Sequence, residues 1–313
     1  MCGIAGLIHR GKSADIGTEM TAMLQALKHR GPDSTGFALY GPHMKKKTQY
    51  VMRFKVAEQD DLKTGFNILE EIPKRKAEVD RRLKEKGAKI ESRKQVTGYS
   101  YRYVFSLGGD LKRMIDYVED IDNVEILSVG HSLELVKDLG DAGVVSKQYA
   151  LKGFKGTHAI GHTRMATESD VDIRSAHPYW AYPFNDVSVV HNGQLTNYWI
   201  GRRELERRGH RFMSNCDSEL IAVYLADRMD RGDTLEQALQ RSINELDGVF
   251  TYVVATSDAL GMAKDTMAAK PMVLYESDKF IALASEEVAI RSIFPSEIKT
   301  SDPYDGEVRV WRT

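Results

Sequence analysis

The chain opens with an apolar run over residues 3–8, bounded by glycine and charge, which predicts a buried strand with residue 2 at its tip. Over residues 18–28, Met20, Met23, Leu24 and Leu27 recur at helical spacing, and Gly31-Pro32 stops the helix. A strand over 36–40 follows. The pattern then changes character between about Pro42 and Thr157. Lys45-Lys46-Lys47 leads into residues 73–94, dense in lysine and arginine, where Val79 and Leu83 mark the inner face of an amphipathic helix. Beyond it the pattern predicts a strand over 99–105, a helix over 111–121, a strand over 124–129 and a helix over 133–139. Residues 42–157 are therefore expected to form an inserted α/β subdomain, flanked by a domain made of 2–41 and 158–313. In the second part, strands are expected over 187–190, 249–256, 272–275, 280–284 and 308–312, with helices over 199–208 and 218–229. Short strands mixed with helices, without regular βαβ alternation, predict an α+β sandwich and not a doubly wound sheet.

Composition narrows the function classes. Forty-four basic and forty-five acidic residues leave a formal charge of −1, so no global field recruits nucleic acid or anionic membrane. Residues 73–94 carry ten basic and four acidic side chains, which reads as a solvated helix face and not a nucleic-acid arm. No apolar run is long enough to span a bilayer and no basic leader precedes Cys2, so a cytoplasmic protein is expected. The two cysteines, Cys2 and Cys216, are too few for a disulfide scaffold and suit a reducing compartment.

Cys2 and three further segments carry chemistry. Removal of Met1 would leave Cys2 with a free α-amine, which titrates at roughly 7.7–8.0 and can take the thiol proton and later protonate a leaving amine. Gly161-His162-Thr163-Arg164-Met165-Ala166-Thr167 sets a carboxylate-clamping arginine among small residues. Val189-Val190-His191-Asn192-Gly193-Gln194-Leu195-Thr196-Asn197 ends an apolar strand in Asn-Gly, where a side-chain amide and a backbone N–H can face one point. Ser214-Asn215-Cys216-Asp217-Ser218-Glu219 places carboxylates ahead of a helix, where Asp217 or Ser218 can also serve as the N-cap. His29, His162, His177 and His191 lack a metal-ligand spacing, so no metal is assigned.

In this order, with His29-Arg30-Gly31-Pro32-Asp33-Ser34, Leu246-Asp247-Gly248-Val249-Phe250 and Ala284-Ser285-Glu286, these segments resemble the class II (N-terminal nucleophile) glutamine amidotransferases. The resemblance covers residues 2 to about 41 and 158 to about 290. It implies a four-layer αββα sandwich, with Cys2 as nucleophile and base, and Asn192 and Gly193 as the oxyanion hole. It also implies Arg164 on the α-carboxylate of L-glutamine and Asp217 on its α-ammonium. Thr167 would line the pocket, Arg30 and Asn197 would hold the nucleophile's surroundings, and Asp33 would support them. The implied reaction hydrolyses glutamine to glutamate and ammonia through a Cys2 thioester, without metal or organic cofactor. Two positions depart from many members: Met165 stands for tryptophan and Cys216 for threonine, which bears on pocket shape. The chain looks most like the separate amidotransferase subunit of glutamate-synthase-like and methylamine-glutamate N-methyltransferase complexes, which implies a synthase partner receiving ammonia. Alternatives are a glutamine-binding regulatory subunit, an amidotransferase for another acceptor such as phosphoribosyl pyrophosphate, or a hydrolase of other amides. The Arg164 and Asp217 pair, suited to a free amino acid, favours glutamine.

Overall fold

The computed structural model describes residues 2–65, 67–165, 173–184, 186–294 and 296–313. A six-stranded antiparallel sheet has the order Val273–Glu276, Phe280–Ala284, Gly3–His9, His158–Arg164, Ser34–Tyr40 and Leu133–Leu139. A five-stranded sheet has the order Val308–Arg312, Ala259–Lys264, Gly248–Ala255, Ser188–Leu195 and Tyr179–Trp180.

Side chains alternate between three cores with the period of two that a strand imposes. In Gly3–His9, Ile4 and Ile8 enter the core between the sheets with Val190, Val253 and Met262, while Ala5 and Leu7 face the helices Ile16–Ala26 and Ala142–Gln148. In the second sheet, Val190, Val253 and Ala255 face inward, and Val189, Tyr252 and Val254 face the helices Tyr198–Arg207, Asp217–Asp230 and Leu235–Glu245. Helix, sheet, sheet and helix thus stack as four layers, the α+β arrangement expected. Because both faces of each sheet are covered, the strands read as continuous apolar runs. Among the described residues, no helix is long and apolar enough to cross a membrane.

A separate four-stranded sheet has the order Lys89–Gln95, Ser100–Ser106, Gln49–Lys55 and Glu125–Gly130. The helices Ile68–Glu85 and Leu111–Glu119 cover it. Its core, including Met52, Phe54, Tyr103 and Leu83, is continuous through Leu133, Leu135 and Trp180 with the core between the two main sheets.

Two expectations fail here. The helix placed over 73–94 stops at Glu85, and residues Lys89–Gln95 form an edge strand. Gly87, at φ +81°, ends the helix: its N–H bonds the carbonyl of Lys84, and the Ala88 N–H bonds that of Leu83. This is the pairing that closes a helix on a left-handed glycine. Residues 133–139, expected as a helix, are a strand paired with Ser34–Tyr40. Their polar side chains are buried with partners: Glu134 takes Arg53 Nε at 2.7 Å and Arg102 Nε at 2.8 Å. Lys137 Nζ lies 3.0 Å from Glu125 Oε1, and Asp138 accepts the Tyr149 hydroxyl at 2.8 Å.

Candidate active site

Cys2 stands at the head of a central strand, between Phe280–Ala284 and His158–Arg164. Its backbone is held from three sides. Arg30 Nε donates to the Cys2 carbonyl at 3.0 Å, and Asn192 Nδ2 donates to the same oxygen at 2.9 Å. Two residues along, the Ile4 N–H donates to Ser285 Oγ at 2.9 Å, and the Ser285 N–H returns to the Ile4 carbonyl at 2.9 Å. Arg30 is itself oriented by Glu286, which also meets His29 Nε2 at 3.0 Å. The short 3-10 turn Lys28–Arg30 reaches this place because Gly31 lies on the end of the neighbouring strand: a Cβ there would stand 2.3 Å from the Arg164 carbonyl carbon.

A cavity of about 360 Å³ opens beside the thiol, lined by Cys2, Arg164, Asn192, Gly193, Asp217 and the His177–His191–Ser218 group. Five of the eight residues named from sequence as catalytic or substrate-binding line this one cavity, and Arg30 sits directly behind Cys2. Asn197 does not join them: it starts the helix Tyr198–Arg207, donates to the Glu245 carbonyl at 3.1 Å and accepts from the Asp247 N–H at 3.2 Å. It fastens the turn before Gly248–Ala255 and not the thiol. Thr167 lies outside the described residues.

Gly193 has φ +143°, and a Cβ on it would lie 1.9 Å from the Val249 carbonyl oxygen. Its strand partner Phe250 spends its N–H on Asp265 Oδ2 at 2.8 Å and its carbonyl on the Asp265 N–H at 2.9 Å. Gly193 and Phe250 therefore form a pair of the non-hydrogen-bonded kind, which leaves the Gly193 N–H unclaimed by that strand.

Cys216 occupies the N-cap position of the helix Asp217–Asp230 without a side-chain cap bond, so Asp217 is the first helical residue and not the cap that its position in the sequence allowed. Its carboxylate accepts the Leu195 N–H at 2.8 Å and lines the cavity at a helix N-terminus, where negative charge is favoured. Cys216 Sγ lies 3.7 Å from Asp217 Oδ1, and burial raises its pKa, which removes the thiolate a nucleophile needs.

His162, His177 and His191, read from the sequence only as lacking a metal-ligand spacing, come together as a group that their separations of 15 and 14 residues did not reveal. His162 and His177 stack at 4.1 Å, His191 lies 6.5 Å from His177, and Ser218 Oγ touches His177 Nε2 at 2.7 Å and His191 Nδ1 at 2.9 Å. Burial is the main cause that depresses all three, His162 to about 3, and so favours their neutral forms. Among the described residues no group of side chains is arranged to hold a metal ion.

Residues 162–292 match the family described as glutamine amidotransferase domain. Over 99% of its length the chain is 41% identical to a Methanothermobacter thermautotrophicus protein whose name assigns it to the glutamine amidotransferases, covering 99% of that protein. Over 99% of its length it is 33% identical to the glutamine amidotransferase-like protein GlxB of Rhizobium meliloti, covering 98% of it. In three dimensions, 99% of the chain superimposes on 47% of the glutamine phosphoribosylpyrophosphate amidotransferase chain from B. subtilis, with a TM-score of 0.60 at 16% identity. At that identity the likeness concerns the fold.

Proposed function

The chain belongs to the glutamine amidotransferase family, and we propose that it is a class II member that hydrolyses L-glutamine to glutamate and ammonia through a thioester on Cys2. One observation carries this reading: a single cavity has the Cys2 thiol, the Asn192 and Gly193 donors, and the opposite charges of Arg164 and Asp217 on its walls. The charges suit the two ends of a free amino acid, and the thiol suits the amide carbonyl of its side chain.

With Met1 removed, the α-amine of Cys2 takes the thiol proton and the thiolate attacks the amide carbon of glutamine. The oxyanion is stabilised by the Gly193 N–H and by the Asn192 amide through the hydrogen that is not on the Cys2 carbonyl, donors of a kind worth roughly 3–4 kcal/mol each in a dry site. Collapse breaks the C–N bond; the nitrogen leaves as ammonia with the proton held on the α-ammonium. A water molecule, its proton taken by the same amine, then opens the thioester and releases glutamate. Arg30 holds the carbonyl of Cys2 so that thiol and amine keep one geometry.

The ammonia passes, in this reading, to a synthase partner of glutamate-synthase-like type in the cytoplasm. The expected insertion at 42–157 is better drawn around the four-stranded sheet of residues 49–130, because Leu133–Leu139 pairs with Ser34–Tyr40. Its surface, which glutamine hydrolysis does not use, is the face we assign to that partner.

Two measurements test the chemistry. The intact mass of the purified protein should be that of a chain starting at Cys2, and Cys2→Ala should lose glutaminase activity while still binding glutamine. Full activity with Met1 retained, or activity in Cys2→Ala, would sink the nucleophile assignment. For the partner, co-elution of a synthase subunit from the native cell is expected; a chain hydrolysing glutamine alone at full rate leaves that part without support.

A further inference from the structure

Ser218 is the second residue of the helix that presents Asp217, and its buried hydroxyl is shared by three neighbours. It lies 2.7 Å from His177 Nε2, 2.9 Å from His191 Nδ1 and 3.3 Å from Asp217 Oδ1. A serine hydroxyl has one hydrogen and two lone pairs, so three contacts use its whole capacity, and only one of them can receive its hydrogen.

Proton counting decides which. An ionised carboxylate only accepts, so the Asp217 contact exists as a hydrogen bond only if Ser218 donates to it. Both lone pairs then face imidazole nitrogens, which must each carry a hydrogen. The opposite assignment, with Ser218 donating to His177 Nε2, would put the His177 proton on Nδ1. That atom is buried without a partner among the described residues, and so is His191 Nε2. A buried N–H without an acceptor costs about 1–3 kcal/mol, and this assignment would also take from Asp217 Oδ1 its hydroxyl donor, leaving that oxygen the weaker Cys216 thiol at 3.7 Å.

We propose that Ser218 is a positioning residue for substrate recognition, whose one hydroxyl hydrogen is committed to Asp217 by two imidazole N–H donors, His177 Nε2–H and His191 Nδ1–H. The consequence is geometric. His191 immediately precedes Asn192 and Gly193 on its strand, and Asp217 immediately precedes Ser218 on its helix. One hydroxyl therefore fixes the distance between the group that receives the substrate's α-ammonium and the donors that receive its reacting carbonyl. The inference rests on the assignment of Asp217 to that ammonium and adds to it a residue that does not itself touch substrate.

The tautomers can be read directly. In protein labelled with ¹⁵N-histidine, long-range proton–nitrogen correlation should show His191 protonated at Nδ1 and His177 at Nε2. A spectrum with His191 protonated at Nε2 overturns the proposal whatever the kinetics. In steady-state assays, Ser218→Ala should raise the KM for glutamine about tenfold with kcat within threefold, and Ser218→Thr, which restores a hydroxyl, should recover most of the loss. Loss of kcat at constant KM, or failure of threonine to rescue a folded Ser218→Ala, refutes a positioning role. Asp217→Asn separates the two layers: if it raises KM and Ser218→Ala does not, Ser218 alone is misassigned. If Asp217→Asn leaves KM unchanged, the ammonium assignment falls, and the Ser218 proposal falls with it.

Discussion

Replacing Gly193 by alanine tests the site more sharply than removing a reactive group, because it adds one methyl and changes no charge. That methyl would lie 1.9 Å from the Val249 carbonyl oxygen, 2.7 Å from Phe250 Cα and 2.9 Å from His191 Nε2. An ordinary contact begins near 3.4 Å, so the strand Ser188–Leu195 must move off Gly248–Ala255 by more than about 1 Å. The backbone conformation at φ +143° adds a cost of roughly 1–3 kcal/mol for a residue with a side chain, and overpacking adds roughly 1–3 more. The same shift moves the Gly193 N–H, and a displacement of about 1 Å at a reacting centre lowers the rate on the order of a hundredfold. Gly209→Ala and Gly232→Ala are the controls, since these glycines also have positive φ but nothing within 4 Å of the place where the new methyl would stand. Denaturant unfolding and kcat for glutamine would be measured on all three. The expectation is a loss of about 1–2 kcal/mol with unchanged kcat for the controls, and a larger stability loss with a hundredfold lower kcat for Gly193→Ala. If Gly193→Ala matches the controls in both quantities, the backbone at Gly193 neither packs nor works as described.

Arg164→Gln should weaken glutamine binding about tenfold to a hundredfold, since each charge-assisted hydrogen bond is worth roughly 1.5–3 kcal/mol, and titration calorimetry on Cys2→Ala isolates this from turnover. An unchanged Kd would move the carboxylate clamp elsewhere. Burial is the main reason His158 titrates at about 4 and His162 at about 3, against about 6.5 in an unfolded chain. The stability gained from keeping them neutral is complete above pH 6.5 and declines as pH falls toward those values, by about 1.4 kcal/mol per pH unit for each. His158→Gln, which is remote from the cavity, should therefore flatten the pH dependence of unfolding free energy between pH 6 and 4.5 by that amount. An identical slope would mean that His158 is not held neutral.

What the sequence made legible is the part where local pattern and tertiary role agree. The strand headed by Cys2, the strand over 308–312 and the helices around 199–208 and 218–229 lie where periodicity puts them, because their apolar residues meet a core. The misread elements break that agreement. Residues 133–139 space Leu133, Val136 and Leu139 like a helix, since Glu134, Lys137 and Asp138 look solvated and are buried in ion pairs and hydrogen bonds. The strand Lys89–Gln95 carries the same lysines and arginines as the helix before it, and an exposed edge strand favours such charges. Gly87 was the one local signal dividing them. At the site, the motifs singled out Cys2, Arg164, Asn192, Gly193 and Asp217, which line one cavity. The Ser218 hub lay beyond reach, because contacts among residues 177, 191 and 218 exist only once three separate elements pack.

The central place of the strand Gly3–His9 has a consequence for how the protein comes into being. Its flanking strands are residues 158–164 and 280–284, and Ile4 bonds a residue 281 positions away. Synthesis runs from the N-terminus, so this strand, made before either neighbour, waits for both until residue 284 has left the ribosome. During that interval its end is unpaired, which is when the removal of Met1 that the proposed mechanism requires meets no packed sheet. Removal of Met1 is thus easiest before folding is complete, and a thiol primed early has no oxyanion donors beside it until the chain closes around it. Under the proposed mechanism, order of synthesis then separates maturation of Cys2 from the onset of its reactivity.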